Sequence, residues 1–176
     1  MDIFGAIGGR SCNGWGSFHL GGAPALQGWP LRDWRDCFDR DWPHAIGRDE
    51  RGPLVWQTGP FDDWRQLMRR LAEIKIGLRT QFKFHSGKNA PRPEARHWLS
   101  YPVTHHDVKS WRQARLPNTL RFKAARDGSG RLRGLIFHVP CKPPSQFRPD
   151  IRAIERVWRQ VHSYLDGVNG IERTSA

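Results

Sequence analysis

The tetrapeptide Asp127-Gly128-Ser129-Gly130 separates two stretches of alternating polarity, and no other feature narrows the fold as far. In residues 119–126, Leu120, Phe122 and Ala124 alternate with Arg121 and Lys123, and residues 131–139 return as the partner. Alternation is the period of a strand, and Asp-Gly reverses the chain tightly. The expectation is a β-hairpin with one apolar face, which another layer must cover.

Two segments supply that cover. Ile151, Ile154, Val157, Trp158, Val161 and Leu165 recur at helical spacing after Asp150, and Gly167 marks the stop. The spacing predicts a helix over 150–167 and a frayed tail from Val168. Phe61, Trp64, Leu67, Met68, Leu71 and Ile74 mark a second helix, opened by Pro60 and ended at Gly77. Residues 54–58 read as a strand. Residues 78–84 alternate Leu78, Thr80, Phe82 and Phe84 with Arg79, Gln81 and Lys83, again a strand pattern.

A basic, proline-containing loop follows at 86–97, then a strand at 98–103 and a short helix from Thr104 to about Ala114. That helix would be capped by Thr104 with Asp107 at its third position. Four prolines make 140–149 an extended loop. The first six elements from residue 54 then follow a β-α-β-β-α-β order. The expected fold class is α+β: a ferredoxin-like (split βαβ) sandwich with an extra C-terminal hairpin and helix. Residues 1–53 are expected as an irregular Gly/Trp-rich segment, with a Gly-rich arm at 1–28 and one short helix carrying Leu31, Trp34, Phe38 and Trp42. Residues 54–176 form the basic α+β domain, the whole being one compact unit of 176 residues.

Charge indicates the partner class. The formal net charge is +12, and all the excess lies beyond residue 63. Residues 64–176 hold 23 basic and eight acidic side chains, whereas residues 1–63 hold six and nine. Segregated positive charge attracts polyanions. No run of about 20 apolar residues exists for a membrane span. The start lacks the basic and apolar regions of a secretory signal, and three widely spaced cysteines fit reduced thiols in a cytoplasm. No cofactor or metal motif is present: there is no phosphate-binding glycine loop and no Cys-x-x-Cys pair.

The expected function is nucleic-acid binding, with RNA or single strand favoured, alone or as a subunit of a ribonucleoprotein or mobile-element complex. Phosphate contacts are expected from Arg79, Lys83, Arg121, Lys123, Arg131 and Arg133 on strand faces. Lys88, Arg92 and Arg96 would add contacts from the loop, and Trp56, Trp98 and Tyr101 would be rings for base stacking.

Two alternatives accompany it. A metal-independent nuclease could pair histidines as acid and base, the candidates being His85, His105 and His138. A protein-interaction or inhibitor module could instead dock an acidic partner through its arginines. Two nuclease motifs fail on geometry. Adjacent His105 and His106 would point apart on a strand, and Glu73-Ile74-Lys75 falls within the helical stripe, away from any suitable acid.

Overall fold

A computed structural model describes residues 5–8, 12–18, 28 and 30–174. His19 and most of the Gly-rich arm lie outside them. The architecture is mixed α+β, with two helices and two sheets. In chain order the elements are β1 (Asn13–Gly14), β2 (Leu31–Asp33), β3 (Ile46–Asp49), β4 (Gly52–Pro53), β5 (Val55–Thr58), α1 (Trp64–Thr80), β6 (Leu120–Arg126), β7 (Leu132–His138), α2 (Ile151–Asp166) and β8 (Ile171–Arg173). The large sheet runs β1-β6-β7-β5-β8 and the small one β2-β3-β4.

The hairpin β6–β7 is the centre of the large sheet. Its register pairs Phe122 with Ile136 and Ala124 with Gly134. These residues, with Leu120 and Trp56, face the main core, where Leu67, Leu71 and Ile74 of α1 and Ile154, Val157, Trp158, Val161 and Leu165 of α2 meet them. Asp63 and Asp150 cap the two helices through the amides of Gln66 and Ala153. The opposite sheet face is closed by the small sheet, through Ile46, Val55 and Phe137.

From residue 54 the order β5-α1-β6-β7-α2-β8 is β-α-β-β-α-β, with β6-β7-β5-β8 paired antiparallel throughout, but other segments than the expected ones fill it. Residues 78–84 are not a strand, because α1 continues to Thr80. Leu78 lies four residues beyond Ile74 and extends the same buried stripe. Gly77 does not end the helix. It allows α1 to approach Tyr164 of α2, whose hydroxyl would lie 2.2 Å from any added Cβ.

Residues 98–103 are no strand and 104–114 no helix. The chain from 81 to 119 is one long loop, with a single 3-10 turn at Ala95–Trp98 and isolated bridges Ala90–Val108, Val103–His106 and Tyr101–Leu116. The short helix expected over 31–42 is strand β2, paired with β3, followed by a 3-10 turn at Asp36–Asp39. The expected frayed tail returns as β8 and pairs with β5.

Candidate polyanion interface

The 81–119 loop owes its shape to aromatic burial. His97, Trp98, Tyr101 and Trp111 are all buried. The Trp111 ring meets Trp98, Tyr101 and Phe147 edge to face, at centroid distances of 5.0, 5.1 and 4.9 Å. Such pairs favour one geometry over others.

Polar bonds complete the frame. The Glu94 carboxylate accepts from the His85 amide at 2.7 Å, the Ser86 amide at 3.0 Å and the Ser86 hydroxyl. Burial opposes its charge, but these donors hold the carboxyl below the ordinary glutamate range. His97 Nδ1 accepts from the Glu94 amide at 2.9 Å, so its Nε2–H donates to the His106 carbonyl at 3.2 Å. His106 Nδ1–H in turn donates to the Ser86 carbonyl at 2.8 Å. The loop is therefore tied to itself at several points.

Upon this frame sit cations. From Lys75 to Arg121 the chain has ten basic residues (Lys75, Arg79, Lys83, Lys88, Arg92, Arg96, Lys109, Arg112, Arg115, Arg121) and only two acids, Glu94 and Asp107. None of the ten forms an ion pair with a carboxylate of the described residues. Elsewhere the arginines divide: Arg131 is paired with Asp62 at 3.4 Å, Arg133 with Asp127 at 2.8 Å, and Arg173 with Asp49 and Asp166 at 2.6 and 2.7 Å, whereas Arg65, Arg69, Arg152 and Arg156 on the two helices have no carboxylate partner among the described residues.

Lys75, Arg79 and Arg96 line one narrow cleft with Ser100 and Asn118, above a floor that includes Leu78, Phe122 and Trp158. Lys75 and Arg79 are one helical turn apart on α1, so they share a face. Burial, then the Arg79 charge, lowers the Lys75 ammonium to about 8. Burial, then Arg96, lowers Arg79. A second group forms where the Ala90–Val108 bridge joins the loop's two limbs. The Lys109 amide donates to the Ala90 carbonyl at 3.0 Å, which places Lys109 beside the limb carrying Lys88 and Arg92.

The sequence-derived sites fare unevenly. Arg79 and Arg96 come together, and Lys83, Lys88 and Arg92 are exposed along the loop. The cationic strand face does not form, because Arg79 is helical and Lys83 lies in the loop. Lys123 is only 2% exposed, with its ammonium over the Phe18 ring. Arg121 donates to Cys12 Sγ, and Arg131 and Arg133 are ion-paired. Trp56, Trp98 and Tyr101 are buried in the core, so their faces are closed to a base. Among the described residues the exposed tryptophans are Trp15, Trp42 and Trp64, all outside the cationic segment.

His138 is fully buried. Its Nε2 bonds Thr119 Oγ1 at 3.1 Å, its Nδ1 bonds His162 Nε2 at 3.0 Å, and Trp158 stacks on its ring. It cannot reach a phosphodiester, which removes it as a cleaving group. His85 and His105 are exposed. Among the described residues no group of three or more His, Cys, Asp or Glu is placed to hold a metal ion.

Sequence reasoning missed Lys75, Lys109, Arg112 and Arg115 as members of the cationic segment. The four-residue step from Lys75 to Arg79 was the available signal. Lys109 and Arg112 sat in what reads as a short helix, and Arg115 just past its end. No family model matches the chain, and no curated protein or solved structure matches it. No helix of the described residues is long and apolar enough to cross a membrane.

Proposed function

We propose that the protein binds nucleic acid through phosphates, using the cations between Lys75 and Arg121. The observation that carries this reading is their lack of carboxylate partners on a loop fixed by buried aromatics. Unneutralised cations repel one another, and a stable fold that leaves these unpaired along one stretch of chain suits a partner that brings the negative charge. The long loop fits the same role, since structureless connections beyond about 15 residues are usually functional or disordered, and this one is internally bonded.

Single strands or RNA suit the surface better than sequence-read duplex. Both helices spend their apolar faces on the sheet, and neither is presented as a groove-reading helix. Because Trp98, Tyr101 and Trp111 near the cations are buried, affinity rests on phosphate contact rather than stacking.

The test is fluorescence anisotropy with a short single-stranded RNA. Joint reversal of Lys88, Arg92 and Lys109 to Glu is expected to weaken binding by a factor of about 100 or more at low salt. Arg159→Gln, which removes an ion-paired charge on α2, is the control and is expected to change it less than about threefold. Equal losses in the two proteins would contradict the assignment.

A further inference from the structure

The Lys75–Arg79–Arg96 cleft differs from the rest of the cationic surface in convergence. Three basic side chains from two elements line one narrow opening, no carboxylate lines it, and Ser100 and Asn118 add neutral polar groups. Elsewhere along the loop the cations are strung out along the backbone. Strung-out cations suit the single charges of successive phosphodiesters. Three cations at one point suit a group of higher charge.

We propose that this cleft is a seat for a dianionic phosphate monoester, and that on a polynucleotide it takes the terminal phosphate of the strand. The inference rests on the nucleic-acid reading above and deepens it. A monoester carries about −1.5 to −2 charges at neutral pH and offers three free oxygens. An internal diester carries one charge and is blocked by ester links on two sides, so it cannot enter a narrow cleft end-on. Arg79 and Arg96 each present a planar fork that can grip two oxygens, and Lys75, whose ammonium donates to Asn13 Oδ1, adds a point charge beside them. The apolar floor of Leu78, Leu99, Leu120 and Phe122 limits water there and strengthens each charged contact.

The position of Arg96 supports the assignment. Its guanidinium lies 5.3 Å from the centre of the Phe84 ring. The backbone turn that carries it is closed by the reciprocal Glu94–His97 bonds. Arg79 extends from the last turn of a 17-residue helix. Neither cation has to be recruited from a free loop end when the ligand arrives.

The experiment compares three versions of one labelled single strand with the full chain: 5′-phosphorylated, 3′-phosphorylated, and with hydroxyls at both ends. One phosphorylated form is expected to bind about tenfold or more tightly than the hydroxyl form. In Arg79→Gln and Arg96→Gln that preference is expected to vanish, while the hydroxyl strand loses far less affinity. Circular dichroism confirms that both variants fold, since Arg79 is exposed and Arg96 only half-buried. A second readout needs no polynucleotide: inorganic phosphate should raise the Tm of the parent protein above that in chloride of equal ionic strength, and not that of the variants.

Equal, salt-sensitive binding of all three strands with no phosphate effect on Tm would overturn the seat and leave the nucleic-acid reading standing. No binding of any strand, with a phosphate-dependent Tm that the variants lose, would overturn that reading and leave the seat.

Discussion

His138 and His162 share one hydrogen bond within a wall of tryptophans. Trp158 stacks on His138 at 3.9 Å, and Trp34 meets His162 edge-on at 5.2 Å. A bond between two imidazoles needs one donor and one acceptor, which two neutral rings supply. Burial pushes the His138 imidazole well below its ordinary value and lowers His162 to about 3. The unfolded chain therefore takes up protons that the folded chain refuses. Stability is fully present above about pH 6.5 and falls as pH drops through it, by ~1.4 kcal/mol per unit for each histidine. Urea unfolding at pH 7.5 and pH 5.5 is expected to show a loss of ~2–3 kcal/mol from this pair. An unchanged midpoint would contradict the buried, neutral pair.

Glu94 is the corresponding residue in the cationic loop. Its carboxylate satisfies the His85 and Ser86 amides and the Ser86 hydroxyl. Glu94→Ala leaves those donors without their acceptor, at a cost of about 1–3 kcal/mol. Limited proteolysis within 81–94 should accelerate before global unfolding does.

At the scale of elements, close packing explains both what was readable and what was not. The hairpin, α1, α2 and β5 were legible because each carries its own period: two for strands, 3.6 for helices. Residues 78–84 fit both periods, and packing decided. Leu78 continues the stripe of Leu67, Leu71 and Ile74 against the core, a tertiary gain that alternation alone cannot reveal. The tail offered one apolar residue, Ile171. It pairs with Thr58, and β8 is fastened by Arg173, which meets Asp166 at the end of α2 and Asp49 from a distant part of the chain. Burial opposes charge on this guanidinium, but the two carboxylates raise its proton affinity above the ordinary arginine value. Such a clamp is invisible in sequence.

Arg173→Ala removes the cationic partner of Asp49, whereas Asp166 keeps Arg51 at 2.7 Å and the Trp56 indole N–H, and a cost of about 1–3 kcal/mol is expected, read from urea denaturation. Gly134→Ala tests the sheet–helix contact. Its Cβ would lie 2.6 Å from Leu71 Cδ2 and 3.1 Å from Leu67 Cδ1, so a loss of about 1–3 kcal/mol is expected. A neutral result would mean that α1 sits further from β7.

Over the whole molecule, charge and fold divide the chain differently. The ion pairs Asp49–Arg173, Asp62–Arg131 and Asp166–Arg51 hold distant segments together. The stretch from Lys75 to Arg121 keeps its cations apart from carboxylates. The charge excess of this region was legible from composition. The placement of its cations was not, because they stand on a helix end, an irregular loop and one strand, and the loop is shaped by buried aromatics such as Trp98, Trp111 and Phe147. The strand-face platform failed for the same reason: the small sheet and the Ser17–Phe18 segment cover much of that face.

The most direct measurement is the affinity of the full chain for a short single-stranded RNA from about 50 to about 200 mM salt. Six phosphate contacts, at ~0.7 each, give a slope of log K against log salt near −4. The account expects that slope, reduced by about 2 when Lys88, Arg92 and Lys109 are reversed to Glu. No binding at low salt, or a slope unchanged by that reversal, would contradict it.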